Sequence, residues 1–193
     1  MKYIKQLENP LTDAYKDLKR LVTEEGGTDG SFPWYWHEKT VAGNDITPAF
    51  IANMFIRGHE NRGYYTHTFL TRPISNQWYS KVNSTYIDLA QQVALDIFVH
   101  NKIEMKSIYR MSVNCEHPTK NNLPDFYHTD HDFPHHNMLV YLSDTEGGET
   151  LVDKERYAGK EDDVIIFDGH SIKHCNKPPT VGRRIVFIVT FQL

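Results

Sequence analysis

The first half of the sequence carries apolar residues at the three- and four-residue spacing of amphipathic helices. Three helices are predicted from this spacing and from the residues that start or stop it. The first begins at Asn9-Pro10 and ends before Gly26-Gly27, the second runs from Thr47-Pro48 to Arg57 before Gly58, and the third is capped by Ser75 and continues to Ile97. The aromatic stretches between them, Phe32–Trp36 and Tyr64-Tyr65, are predicted to be loops.

From about residue 105 the period of the apolar positions changes from 3.6 to 2 and stays there to the end of the sequence. Strands are predicted over residues 105–114, 125–130, 137–143, 149–152, 163–168, 171–175 and 183–192. This spacing favours a β sandwich or barrel over alternating βαβ units. The expected fold class is mostly β with N-terminal helices (α+β). We expect one domain over residues 1–193, with helices and aromatic loops up to residue 104 and the β core from residue 105.

Composition and charge exclude several classes of protein. The chain has 39% hydrophobic residues and a net charge of −4, so it lacks the basic excess expected of a nucleic-acid-binding protein. No apolar run approaches the roughly 20 residues of a membrane span, and the start, MKYIKQLENPLTD, lacks the apolar region of a signal peptide. With Cys115 and Cys175 as the two cysteines, no disulfide framework is expected, and the predicted location is the cytoplasm.

Four of the eleven histidines fall within the segment FYHTDHDFPHH. Residues two apart in a strand share a face, so His128 and Asp130 would present an imidazole and a carboxylate together. A second histidine, His174, follows the apolar strand VIIFDG. Two histidines and one carboxylate form the facial triad associated with non-haem Fe(II) oxygenases. His170 is the competing candidate, but Gly169 before it marks a turn, so His174 is favoured.

The order of these motifs resembles a known enzyme family. The motifs are HTD (128–130), YLSDTEGGET (141–150), VIIFDGHSIKH (164–174) and GRRIVFIVTF (182–191). Together they are similar to the Fe(II)- and 2-oxoglutarate-dependent oxygenases of the prolyl 4-hydroxylase-like branch, especially to small members from marine phages and bacteria. The match covers residues 105–193, and the N-terminal half corresponds more loosely. The resemblance implies a double-stranded β-helix (jelly roll) core with helices packed on one sheet.

The resemblance also implies roles for individual residues. His128, Asp130 and His174 correspond to the catalytic iron ligands. About ten residues after the distal histidine, the family places a basic residue that binds the distal carboxylate of 2-oxoglutarate. We expect Arg184 in that role, because strand alternation directs Arg183 to the opposite face. A guanidinium can hold this carboxylate through two parallel hydrogen bonds.

Four aromatic residues are weaker candidates. Tyr141 and Tyr109 correspond to positions near the 2-oxoglutarate carboxylate in relatives. Trp34 and Tyr127 are candidates for a substrate wall, although a residue such as Trp34 is more often part of a core. The remaining histidines of the HTDHDFPHH segment are expected to face solvent or to lie at the rim: His131, His135 and His136.

The resemblance implies a dioxygenase that uses Fe(II) and O2 to convert 2-oxoglutarate into succinate and CO2 while it hydroxylates an unactivated C–H bond, with ascorbate as a supporting reductant. Asp130 favours hydroxylation, because halogenating relatives carry Gly or Ala there. The expected substrate is an amino-acid side chain in a peptide or protein, or a free amino acid or other small metabolite.

Three alternatives remain open. A nucleic-acid demethylase of the same superfamily would carry a second arginine where this chain has Thr190. A non-catalytic jelly roll that binds metal or another ligand would be expected to have lost a metal ligand, and none is lost. A zinc hydrolase with a His-x-His-x-Asp-His site is disfavoured, because Phe126 stands in place of its first histidine.

Overall fold

A computed structural model describes residues 3–24, 32–40, 48–73 and 79–193. The helices of these ranges are α1 (Asp13–Thr23), α2 (Pro48–Ile56) and α3 (Ile87–His100). The strands are β1 (Lys5–Leu7), β2 (Tyr35–His37), β3 (Tyr64–Leu70), β4 (Ser107–Glu116), β5 (His136–Tyr141), β6 (Glu149–Val152), β7 (Glu155–Tyr157), β8 (Val164–Asp168), β9 (His174–Lys177) and β10 (Arg184–Gln192). Among the helices so described, none combines the length and apolar character needed to cross a membrane.

The strands form two antiparallel sheets. The large sheet has the order β1-β8-β5-β10-β4-β3-β2, and the small sheet has the order β7-β6-β9. The central strand β10 pairs with β4 on one side and β5 on the other. The prediction of a mostly β fold with N-terminal helices is confirmed, and the two antiparallel sheets are consistent with a jelly roll.

The two faces of the large sheet have different partners. Apolar residues of α1 and α3, such as Leu18 and Phe98, form a buried cluster with alternate residues of β4 and β10 such as Val113 and Phe187. A second apolar cluster lies on the other face of the sheet and includes Val152 of the small sheet. Since side chains alternate along a strand, the residues between these apolar positions point away from the helices. Six of them line a cavity on that face: Arg110, Asn114 and Glu116 of β4, and Arg184, Val186 and Ile188 of β10.

Helix α1 starts later than predicted. Thr12 is its N-cap, because the Thr12 side chain accepts a hydrogen bond from the main-chain N–H of Tyr15 at 3.3 Å. The predicted start at Asn9-Pro10 is wrong: the Asn9 side chain accepts a hydrogen bond from the main-chain N–H of Leu11, and Leu11 has φ +50. The Gly26-Gly27 stop lies outside the described residues.

Helix α2 agrees with its predicted range, but α3 begins at Ile87 and not near Ser75. Residues just before α3 pair with the end of β3 instead of forming a helical turn. The main-chain N–H of Asn83 donates to the Phe69 carbonyl, and the N–H of Thr71 donates to the Lys81 carbonyl, each at 2.9 Å. This pairing excludes a helix over these residues. Ser75 itself lies outside the described residues.

Several strands differ from the prediction. The aromatic stretches expected to be loops contribute β2 and β3, and β3 pairs with β4 at the side of the large sheet. β1 and β7 were not predicted either. Residues 125–130 do not form a strand; they make isolated bridges, one of which joins His128 to His174. Residues before position 104 therefore contribute three strands of the large sheet.

Candidate metal centre

Three side chains with metal-ligating atoms converge at the cavity beside the large sheet. His128 and Asp130 lie between β4 and β5, and His174 is the first residue of β9. One ligand atom from each residue lies within 4.8 Å of the other two. His174 Nε2 is 3.3 Å from Asp130 Oδ2. Two imidazoles and one carboxylate are donors suited to Fe(II) and related divalent ions.

A single β-bridge brings the two histidines together. The N–H of His128 donates to the His174 carbonyl at 2.9 Å, and the N–H of His174 donates to the His128 carbonyl at 3.0 Å. Their ring centroids are 4.6 Å apart. His170 lies in a turn, where its N–H donates to the Asp168 carboxylate. Within the described residues it is His174, and not His170, that joins the candidate ligand group.

The protonation states suit metal binding, which requires ionised carboxylate and neutral imidazole. Burial alone would raise the pKa of Asp130, but the hydrogen bond from His174 and the charges of His174 and Arg110 hold this pKa well below its usual range. Burial, together with the charge of His174, lowers the pKa of His128 to about 4. The buried Nδ1 of His174 has no hydrogen-bond partner among the described residues. The three residues therefore fit a divalent metal ion.

Three side chains outside the candidate ligand group contact Asp130 and orient it. Asn137 Nδ2 donates to Asp130 Oδ2 at 2.7 Å, and Arg110 Nη1 is 3.2 Å from Oδ1. Arg72 Nη1 donates to the Asp130 main-chain carbonyl at 3.1 Å. Together these contacts fix the orientation of the Asp130 carboxylate. Sequence reasoning missed Asn137, Arg110 and Arg72.

Arg184 lies in the same cavity, which encloses about 120 Å³. It is 6% exposed, its Nη2 donates to Thr150 Oγ1 at 2.7 Å, and its Nη1 is 3.4 Å from Glu116 Oε2. Its buried Nε has no hydrogen-bond partner among the described residues, so one donor is left for an acidic ligand. Arg183 has the opposite orientation, since its Nη2 donates to the Thr23 carbonyl at the end of α1.

Tyr141 lies beside Arg184, whereas Tyr109 contacts the last residue of β10. The Arg184 guanidinium carbon is 5.4 Å from the Tyr141 ring centroid, and the Tyr141 hydroxyl is 2.6 Å from Thr150 Oγ1. Burial raises the pKa of Tyr141, so its hydroxyl stays protonated. Tyr109 donates to the Gln192 side chain at 2.8 Å and is not among the described residues that line the cavity. Among the described residues, Tyr109 therefore lies outside the cavity that Arg184 lines, contrary to the expectation that the two share a site.

Neither candidate for a substrate wall lines this cavity in the part of the chain that the structure describes. Trp34 packs edge-on against Phe32 at 5.0 Å and borders the core under the helices. Tyr127 donates to the Asp153 carbonyl at 3.0 Å and faces a separate surface depression. Tyr127 precedes His128 in the sequence but lies outside the cavity, because successive side chains point in different directions.

The prediction that His131 and His135 face solvent is wrong. They are 7% and 2% exposed, and their ring centroids are 4.7 Å apart. His131 Nε2 is 2.8 Å from Thr190 Oγ1, and its ring stacks on Phe133 at 4.6 Å. Burial and the charge of His135 lower the pKa of His131 to about 3. The aromatic Phe133 between them was the available signal for burial. His136 is partly exposed and starts β5.

A buried polar cluster adjoins Arg184 and was also missed. Asn176 Nδ2 donates to both Glu116 and Asp125, and Arg62 Nε is 2.7 Å from Asp125 Oδ1. Burial and the charge of Glu116 raise the pKa of Asp125 to about 7. A signal was present in the sequence: every second residue of β4 from Arg110 to Glu116 is polar within an otherwise apolar strand.

No protein-family model matches this sequence, and no curated protein matches it. Solved structures do match. A 2OG-Fe(II) oxygenase family oxidoreductase from Burkholderia pseudomallei has a TM-score of 0.64 at 12% identity, covering 98% of this chain and 84% of that one. The viral collagen prolyl hydroxylase of Paramecium Bursaria Chlorella virus-1 has a TM-score of 0.53 at 16% identity, over 98% and 96% of the two chains.

A third match is to a non-heme alpha ketoglutarate dependent epimerase, SnoN, from nogalamycin biosynthesis, with a TM-score of 0.53 at 11% identity over 98% and 77% of the two chains. The chain therefore has the fold of the 2-oxoglutarate- and Fe(II)-dependent oxygenases. Because one of these neighbours is a hydroxylase and another an epimerase, the fold by itself does not set the reaction.

Proposed function

We propose that this protein is an Fe(II)- and 2-oxoglutarate-dependent dioxygenase that hydroxylates an unactivated C–H bond, with residues 1–193 acting as one catalytic domain. The observation that carries the proposal is the meeting of His128, Asp130 and His174 in one cavity with Arg184. A metal triad can hold the iron, and a buried guanidinium with an unpartnered donor among the described residues can hold the carboxylate of 2-oxoglutarate.

His128, Asp130 and His174 would hold the metal, and Arg184 would bind the distal carboxylate of 2-oxoglutarate. Thr150 and Tyr141 fix the guanidinium by a hydrogen bond at 2.7 Å and by ring packing. The bound iron and cosubstrate supply the oxidising power for the reaction with O2. The protein's part is to orient the ligands, to exclude water from the cavity and to position the substrate C–H bond.

Two features of the site support hydroxylation. Asp130 is present and ionised, so the carboxylate ligand is not replaced by a site for halide. The apolar wall of the cavity, formed by Leu139, Val186 and Ile188, can exclude water from a reactive centre. The substrate class within this proposal is an amino-acid side chain, in a peptide or protein or as a free amino acid, or another small metabolite. Ascorbate would act as a supporting reductant.

The test is anaerobic binding of Fe(II) and 2-oxoglutarate, followed by measurement of succinate after O2 is admitted. We expect Arg184→Ala to raise the 2-oxoglutarate concentration for half saturation by about tenfold or more, because a charge-assisted hydrogen bond contributes about 1.5–3 kcal/mol. Arg183→Ala is the matched control and should change it by less than about twofold, because that side chain contacts α1 instead. His174→Ala should abolish succinate release.

Failure to bind 2-oxoglutarate would overturn the enzyme assignment. A larger effect of Arg183→Ala than of Arg184→Ala would show that the wrong face of β10 was chosen. Succinate release that survives His174→Ala would remove His174 from the ligand set.

A further inference from the structure

Two arginines lie at the metal centre itself, at the other end of the cavity from Arg184. In the register of β4 with β10, Glu116 lies opposite Arg184 and Arg110 lies opposite Thr190. Six residues of strand separate Arg110 from Glu116, which corresponds to about 20 Å. Arg72, from the segment after β3, lines the same end of the cavity as Arg110. The guanidiniums of Arg72 and Arg110 contact Asp130, whereas that of Arg184 contacts Glu116 and Thr150.

The charges at this end do not balance. Arg110 Nη1 is 3.2 Å and Arg72 Nη2 is 3.9 Å from Asp130 Oδ1, and Asp130 is the carboxylate that both of them share among the described residues. Two positive groups thus face one negative group, and that group is a candidate metal ligand. At the other end, Arg184 pairs with Glu116 and Arg62 pairs with Asp125. A bound divalent cation would add further positive charge next to Arg72 and Arg110.

The two side chains also differ in their exposure to solvent. The Arg110 side chain is 10% exposed and lies in the cavity wall, whereas that of Arg72 is 47% exposed and lies at the mouth. Each guanidinium carries five N–H donors, and within the described residues its contacts with Asp130 use a minority of them. A ligand in the cavity would therefore find, on both groups, donors that no contact among the described residues occupies.

We propose that Arg72 and Arg110 bind a carboxylate of the primary substrate, so that the substrate is a free carboxylic acid of amino-acid size. This inference rests on the proposed function. A carboxylate supplies the negative charge that the pair lacks, and paired guanidiniums bind it with defined geometry. The interior of a peptide backbone has no such charge, and Arg110 lies too deep for a group that stays outside the cavity.

The test uses the full chain loaded with Zn(II) and 2-oxoglutarate, which permits binding without turnover. The probes are the free L-amino acids, their carboxamides, and proline-containing tripeptides blocked at both ends, each titrated and followed by ligand-observed NMR or calorimetry. We expect at least one free acid to bind, its carboxamide to bind at least about tenfold more weakly, and the blocked tripeptides not to bind.

Because Arg72 also contacts Asp130, the variants are compared at a Zn(II) concentration that saturates each protein. Under that condition Arg72→Met should weaken binding of the acid by about tenfold or more, and should weaken binding of 2-oxoglutarate by much less. Arg72→Lys, which keeps the charge but loses the planar fork, should give an intermediate loss. Arg20→Met on the exposed face of α1 is the matched control for loss of one positive charge, and should bind the acid as wild type does.

The assignment would be wrong if Arg72→Met bound the acid as wild type does, or if the acid and its carboxamide bound equally well. It would also be wrong if only the blocked tripeptides bound, or if no free acid bound at all. Loss of 2-oxoglutarate binding in Arg72→Met would assign the arginine pair to the cosubstrate instead. Absence of 2-oxoglutarate binding in the wild-type chain would overturn the proposed function itself, and so is distinguishable from these outcomes.

Discussion

At the scale of single residues, the candidate metal centre depends on a glycine that touches no ligand. A Cβ atom added at Gly169 would lie 2.6 Å from both Asn137 Oδ1 and His135 Nε2. Asn137 in turn donates to the Asp130 carboxylate at 2.7 Å. The absence of a side chain at Gly169 therefore allows Asn137 to approach and orient Asp130.

We expect Gly169→Ala to displace Asn137 and to weaken divalent metal binding by about 10- to 100-fold, the usual effect of losing a hydrogen bond that orients a metal ligand. Calorimetric titration with Mn(II) measures this. Gly58→Ala is the matched control: an added Cβ at Gly58 meets no atom within 4 Å, but its φ of +76 makes alanine strained. That variant should lose about 1 kcal/mol of stability and keep its metal affinity. Equal losses of affinity in the two variants would contradict the role of Gly169.

At the scale of elements, the sequence predicted well where one periodicity continued without interruption. The core strands of the second half, such as β8 and β10, fall within one residue of their predicted bounds. The prediction failed where long-range pairing overrode local pattern. β2 and β3 are strands because they pair with each other and with β4, which no local spacing of aromatic residues reveals.

The same distinction applies to the site. His128, Asp130, His174 and Arg184 share one cavity, as their motifs led us to expect. His128 and Asp130 do not share a strand face as predicted; they lie outside any strand, and a single β-bridge joins His128 to His174. Arg72 could not be predicted, since it belongs to no motif and reaches Asp130 through tertiary contact alone.

His67 joins β3 to two other segments, and this contact predicts a pH dependence of stability. Its ring nitrogens lie 2.8 Å from the Pro33 carbonyl and 2.7 Å from Ser84 Oγ. Burial lowers the pKa of His67, although the Pro33 hydrogen bond acts in the opposite direction. The folded state therefore holds this imidazole neutral, while the unfolded chain protonates it below about pH 6.5. Stability should be complete above that pH and fall as the solution becomes more acidic.

The slope from one such group is at most about 1.4 kcal/mol per pH unit. Urea unfolding between pH 7 and pH 5 measures it in the wild-type chain and in His67→Gln. We expect the variant to be less stable at pH 7, because it loses packing against Phe32 and Phe69. It should also lose less stability on acidification. An identical pH slope in both proteins would show that His67 does not contribute.

At the scale of the whole molecule, the large sheet separates the apolar core from the cavity of the candidate site. The helices cover one face with an apolar cluster, and the polar cavity opens on the other face beneath the small sheet. Strands β4 and β10 connect the two, because residues such as Val113 and Phe187 pack under the helices while Glu116 and Arg184 line the cavity. A ligand bound in the cavity thus contacts strands that also hold the main core.

This arrangement predicts that metal binding stabilises the entire fold. The three candidate ligands come from two segments distant in sequence, so an ion that binds the folded state alone must favour folding. At a free Mn(II) concentration about 100 times its dissociation constant, the gain is about 2.7 kcal/mol, seen as a higher thermal midpoint. His174→Ala should abolish the increase. His170→Ala, four residues away in a turn, should retain it, and the reverse result would mean that His170 is the second histidine ligand.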